Sequence, residues 1–336
     1  MANIFKTRGL RIAAGCVLAA VCLAWVFRNT QWSDFAKSIA GFRWPLAAAA
    51  VVLQLLSFVG QGYRWRLLLA PLGPVRLLRT TQAVYCGLGM TFIVPFGFGE
   101  VTRGYFISDW MSKPFVSVLP SIALERLFDA VWLAVGIGVT AVAVKLPRNL
   151  DRAADIFGGV VIALVGLVLF LSTRKRRSGE AGSPPGVRRG KVRIKLSSLI
   201  ERLGDGFRSI GFTRGLLGAF VISLLMYALQ ATSLWLLMMA YGLRLPFQAA
   251  VAVFFITLFG TAVPVAPAGI GTYQFFCVVA LTLLGVGRTD AAGFSIVAYI
   301  FLNLPLLAVC LFALSKCGMT LASIKEKLRA QRGQNA

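Results

Sequence analysis

Residues 216–240 hold no charged side chain, and further uncharged apolar runs occur at 12–27, 45–63, 156–173 and 291–315. A helix of about 20 apolar residues spans the hydrocarbon core of a bilayer, and an apolar surface of that length has no stable place in water. Only 14% of the residues are charged, where soluble domains carry about a quarter. The expectation is an all-α polytopic membrane protein.

Sidedness follows from the basic residues, 35 Lys and Arg against 12 Asp and Glu, for a net charge of +23. Short loops rich in Lys and Arg stay in the cytoplasm. Four segments qualify: the N-terminal tail with Lys6, Arg8 and Arg11, the stretch 64–79, the segment 174–214, and the tail 317–336. The first apolar run resembles a signal sequence but lacks a small-residue cleavage site, so it reads as an uncleaved first span. The chain is therefore expected in the plasma (inner) membrane, with its N-terminus, central basic linker and C-terminus cytoplasmic. This divides it into a first membrane half (1–173), the Gly/Pro/Ser-rich basic linker (174–214), a second half (215–316) and the basic tail (317–336).

Parity then restricts the two apolar regions that are punctuated. With 64–79 and the linker both inside and one span at 156–173 between them, an odd number of crossings must lie in 80–145. One re-entrant hairpin near 80–113, turning at Val-Pro-Phe-Gly-Phe-Gly-Glu (94–100), plus one crossing through Glu-Arg-Leu-Phe-Asp (125–129), satisfies this count. In the second half a hairpin near 247–287, turning at Val-Pro-Val-Ala-Pro-Ala-Gly-Ile-Gly (263–271), fits, although two full spans fit equally well. The predicted total is six full spans and two re-entrant hairpins.

The two turn sequences share a Val-Pro followed by glycines, one in each half. Pro95, Pro264 and Pro267 remove helix hydrogen bonds, while Gly97, Gly99, Gly269 and Gly271 permit a tight turn. Backbone groups freed in this way must face protein or a watery cavity. Broken segments paired across two halves of opposite orientation point to a midplane binding site. The competing reading for either motif alone is an ordinary Pro-kinked helix.

Charges inside apolar segments are costly and must pair or face an interior cavity. Glu100 and Arg103 follow the first turn, and Glu125, Arg126 and Asp129 form a second group. Setting Arg103 and Arg126 against the three acids leaves one negative charge. Such a group serves either as an ion-pair clasp between helices or as a headgroup site, in which the always-charged Arg fork suits a phosphate. Tyr273 and Gln274, just past the second turn, are candidates for neutral hydrogen bonds to the same ligand. Arg64, Trp65 and Arg66, at the end of a span, read as an interfacial anchor.

Several classes fall away. The chain has no His, so His general bases, His metal ligands and Ser-His-Asp triads are excluded. The six cysteines form no C-x-x-C pair and read as small apolar residues, so neither a metal site nor a redox centre is expected, nor any cofactor. No nucleotide-binding loop is present. The basic residues flank spans and lack an aromatic-interleaved platform, which argues against nucleic acid and for anionic lipid as a partner.

The segments Arg-Trp-Arg-Leu-Leu-Leu (64–69), Pro-Phe-Gly-Phe-Gly-Glu-Val-Thr-Arg-Gly-Tyr-Phe (95–106), Ala-Leu-Glu-Arg-Leu-Phe-Asp-Ala-Val-Trp-Leu (123–133) and Pro-Val-Ala-Pro-Ala-Gly-Ile-Gly-Thr-Tyr-Gln (264–274) together resemble the lysylphosphatidylglycerol synthase transmembrane-region family, also called flippase-like or UPF0104 proteins. The resemblance implies a lipid-translocating membrane domain. It places weight on Pro95, Gly99, Glu100, Arg103, Glu125, Arg126, Asp129, Pro264, Pro267, Gly269 and Gly271. The soluble aminoacyl-transferase domain of the full synthases is not expected here, so the reading is a transporter rather than an enzyme. A membrane-embedded lipid transferase using Glu100 or Asp129 as base is the alternative, as is a scaffold for a cell-envelope lipid enzyme, and such an enzyme is a possible partner.

Overall fold

The computed structural model describes residues 17–28, 41–93, 98–143, 214–262 and 267–316, together with 152, 156, 158–163 and 166. Among these residues the regular structure is helical throughout. Pro95, Gly97, Pro264, the linker up to residue 213 and the basic tail lie outside the described residues. Nine helices are labelled here: α1 (Val17–Phe27), α2 (Trp44–Leu69), α3 (Leu77–Ile93), α4 (Phe98–Trp110), α5 (Phe115–Ala143), α6 (Arg214–Tyr241), α7 (Phe247–Thr261), α8 (Thr272–Leu283) and α9 (Arg288–Lys316).

Helix length sorts these elements into two groups. From α2 to α5 the lengths are 26, 17, 13 and 29 residues, and from α6 to α9 they are 28, 15, 12 and 29. At 1.5 Å per residue the outer members of each set reach about 40 Å and the inner members only about 18–26 Å, so the latter fall short of a bilayer core about 30 Å thick. Among the described residues, three helices, within 44–72, 215–241 and 288–315, are long and apolar enough to cross a membrane. The 29-residue α5 has the length but carries Glu125, Arg126 and Asp129.

Packing repeats the same symmetry. Helices α2 and α6, the first of each set, pack along their whole length. They run antiparallel: Arg43 N donates to Ala240 O at 3.0 Å, Ser233 Oγ to Ala50 O at 2.6 Å, Gln230 Nε2 to Ser57 Oγ at 3.1 Å and Arg64 to Ser223 Oγ at 2.9 Å. As the numbering rises on α2 it falls on α6. The short pairs pack on each other, α3 on α4 and α7 on α8, and each set reaches across to the other through α3 on α9 and α7 on α5. Exchanging the two sets maps these contacts onto one another.

Small residues permit the closest crossings, as expected where van der Waals packing drives helix association. A Cβ on Gly99 would collide with Gly87 O and Thr91 Oγ1, so α4 touches α3 backbone to backbone, and a Cβ on Gly260 would fall within the ring of Phe276, which joins α7 to α8. Two large apolar clusters result, beside a small one of Leu133, Ile137 and Phe255 that joins α5 to α7. One, around Trp65, Phe106 and Ile107, joins α2 to α3, α4 and α5; the other, around Met238, Ile256, Leu281 and Phe294, joins α2 to the second set. Large apolar side chains also point outward, among them Val52, Leu56, Val139, Leu217, Leu225, Leu304 and Phe312. An apolar exterior around a charged interior inverts the arrangement of a soluble protein and suits lipid.

Candidate functional site

Polar residues recur on one face of α2 at Gln54, Ser57, Gln61 and Arg64, a spacing that follows the helical period. On α6 the matching face carries Ser223, Tyr227 and Gln230, and the antiparallel crossing sets the two stripes against each other. With α3, α4, α5, α7, α8 and α9 they enclose a cavity of about 400 Å³. Gly99 and Glu100, just after the first broken segment, face it, as do Thr261 and Tyr273, which flank the second. Its walls draw on both large apolar clusters, through Val84 and through Leu234 and Leu302.

One end of the cavity is a charge cluster built around Glu125. This carboxylate is fully buried on α5, and it accepts hydrogen bonds from Gln61 Nε2 at 2.7 Å and from Arg64 at 2.6 Å. Arg103 NH1 lies 2.8 Å from its other oxygen. Arg64 continues to Asp129 Oδ1 at 2.6 Å, and Arg103 to Glu100 Oε2 at 3.1 Å. The Arg103 guanidinium also stacks 4.9 Å over the Trp65 ring, whose N–H donates to Ser121 Oγ at 3.0 Å.

Arg126 is held differently. Its contacts to Glu100, Asp129 and Glu125 are 3.3, 3.4 and 3.7 Å, and 49% of its side chain is exposed, whereas Arg64 and Arg103 are almost wholly buried. Arg64 and Arg103 are consumed by short ion pairs in low dielectric. Arg126 has weaker partners and an open side toward the cavity, which makes it the most accessible of the three guanidinium groups.

The structure corrects three expectations. Arg64 and Trp65 are not an interfacial anchor: both are fully buried, because Arg64 bridges Glu125 and Asp129 and Trp65 packs under Arg103; of the three, Arg66 alone is exposed. Adding Arg64 also removes the expected negative charge, since Arg64, Arg103 and Arg126 balance Glu100, Glu125 and Asp129. Finally, Gln274 is not a ligand group in the cavity. Its side-chain oxygen accepts the Gly271 N–H at 2.7 Å and caps α8. That turn includes the 3₁₀ segment Pro267–Gly269 and has positive φ at Ala268, Gly269 and Gly271, and Tyr299 OH donates to Ala268 O at 2.9 Å.

Gln61, Gln54, Gln230 and Asn303 were not among the expected site residues, and Arg64 was expected only as an interfacial anchor. The signal for the α2 members was present, a polar stripe at helical spacing inside an apolar run. Among the described residues no group of three His, Cys, Asp or Glu is placed to hold a metal.

The fold and cavity define a helical membrane protein with a buried, charge-neutral polar site. The chain belongs to the lysylphosphatidylglycerol synthase TM region family, whose sequence model matches residues 12–310. It is 22% identical over 317 residues to the glycosyltransferase AglD of Haloferax volcanii, covering 85% of this chain and 51% of that protein, so it spans about half of that relative's length. A UPF0104 membrane protein of Methanothermobacter thermautotrophicus is 24% identical over 243 residues, covering 69% of this chain and 71% of that protein.

Proposed function

We propose that this protein moves a lipid with an anionic, phosphate-bearing headgroup between the leaflets of the plasma membrane. The observation behind this reading is the half-exposed Arg126 at the charged end of a cavity flanked by both broken helix pairs. The short pairs α3–α4 and α7–α8 would be re-entrant, entering from opposite faces, and the two sets would form inverted halves. The antiparallel α2–α6 pair and the matching order of helix lengths support that arrangement, which suits alternating access around a fixed midplane site. The headgroup would occupy the cavity while the acyl chains stay in lipid, and the N-terminus, linker and tail would be cytoplasmic. Glu100 and Asp129 would yield Arg126 to the phosphate and take it back on release. A transferase would need a carboxylate free to act as base, and the three acids of this cluster all hold guanidinium groups.

Leaflet exchange of fluorescent lipids in proteoliposomes tests the proposal. Exchange of anionic phospholipids should exceed that of protein-free vesicles. It should fall about tenfold or more in Arg126→Ala, as expected for loss of a charge-assisted phosphate contact, and also fall in Glu100→Gln. Exchange unaltered by both substitutions would refute the headgroup role of this cavity.

A further inference from the structure

The cavity has a second, chemically different end. Gln54 lies about 15 Å from Arg64 along α2 at 1.5 Å per residue, and both line the same space. Gln230, which reaches Ser57 rather than the charge cluster, stands on α6 toward that far end. So does Asn303, two residues beyond Phe301, whose ring packs against Phe42 and Trp44 at the start of α2. The Gln54 side chain makes no hydrogen bond among the described residues. Gln230 and Asn303 donate their amide N–H groups to Ser57 Oγ and Tyr299 O, which leaves their carbonyl oxygens to accept from a ligand.

Among the described residues this end carries amides and no carboxylate, and the acids lining the cavity are Glu100 and Asp129, both committed to arginines at the other end. A primary ammonium would find no counter-ion here. Hydroxyl groups would find both donors and acceptors, and a buried amide left unpaired on binding is penalised. We propose that the cargo headgroup joins a phosphate to an uncharged polyhydroxylated moiety, a sugar or cyclic polyol, with the phosphate at Arg126 and the hydroxyls at Gln54, Gln230 and Asn303. A bare phosphate reaches one end only, and an aminoacylated headgroup brings a cation to an end without acids. The assignment deepens the lipid-handling reading above and rests on it for the bilayer-held acyl chains, but the site itself can be read by binding alone.

Native mass spectrometry of the detergent-solubilised full chain provides that readout. The probes are phosphatidic acid, phosphatidylinositol, lysyl-phosphatidylglycerol and an uncharged diglucosyl diacylglycerol with matched acyl chains. Phosphatidylinositol should be retained about fivefold or more over each of the others, an increment the size of one net hydrogen bond. Gln54→Met, which sacrifices no hydrogen bond within the described protein, should lower phosphatidylinositol to the level of phosphatidic acid and leave phosphatidic acid unchanged. Gln230→Met should act in the same direction. Equal retention of phosphatidic acid and phosphatidylinositol by the wild type, stronger retention of the lysyl lipid, or no lipid above micelle background would each overturn the proposal, as would a Gln54→Met protein that keeps the full preference. Selective retention without leaflet exchange in vesicles would remove translocation and leave the bipolar site; exchange without selectivity would do the reverse.

Discussion

Replacing Glu125 with Ala should destabilise the protein by about 3–5 kcal/mol, the range for breaking a buried ion pair by deleting one partner. The substitution leaves Arg64 and Arg103 facing each other with their shared counter-ion gone, and neither reaches solvent. It also strands the Gln61 amide. Thermal or denaturant unfolding in detergent, followed by tryptophan fluorescence, measures the loss. Two comparisons make the result specific. Arg126→Ala, with half-exposed contacts beyond 3 Å, should cost about 1 kcal/mol or less. The pair Glu125→Met with Arg64→Met should cost less than the sum of its single substitutions, because residues in one network are not additive. A Glu125→Ala protein as stable as the wild type would show that the cluster does not hold α2, α4 and α5 together.

The second large effect is expected at Gly99. An alanine there would drive its methyl into Gly87 O and Thr91 Oγ1. The obstructing atoms include fixed backbone of α3, so the helices must separate rather than a side chain move aside. Overpacking of this kind costs about 1–3 kcal/mol, occasionally more. Because Gly99 and Thr91 both line the cavity, leaflet exchange should fall together with the unfolding midpoint. Gly138→Ala is the control: its added Cβ meets nothing within 4 Å, and stability and exchange should both stay at wild-type levels. Similar melting behaviour for Gly99→Ala and Gly138→Ala would mean that α3 and α4 tolerate a wider spacing than their contact suggests.

Much of the helical plan was legible in the chain, because a membrane imposes one dominant requirement. An apolar run must be long enough to span and must satisfy its own backbone, which exposes 45–63, 216–240 and 291–315 to simple reading. The short helices were legible through the prolines and glycines that interrupt them, with α3 ending at Ile93 and α4 starting at Phe98. Intramembrane charges likewise announced Glu100, Arg103, Glu125, Arg126 and Asp129 as a group. The α2 contribution was misread for a physical reason. Arg beside Trp at the end of an apolar run has the same local signature whether it meets lipid phosphates or a carboxylate on another helix.

What the sequence determined by itself was the solvent this protein requires, the order of long and broken helices, and the presence of acids and arginines that must find one another. The partners were decided by tertiary structure, since they come from separate parts of the chain: Arg64 from α2, Arg103 from α4, and Glu125 and Asp129 from α5. The antiparallel crossing of α2 and α6 aligned two polar stripes into one cavity. Local patterning sets which face of a helix is polar. Which polar face it meets, and hence whether the site carries net charge, is set only when helices distant in sequence pack at a fixed register.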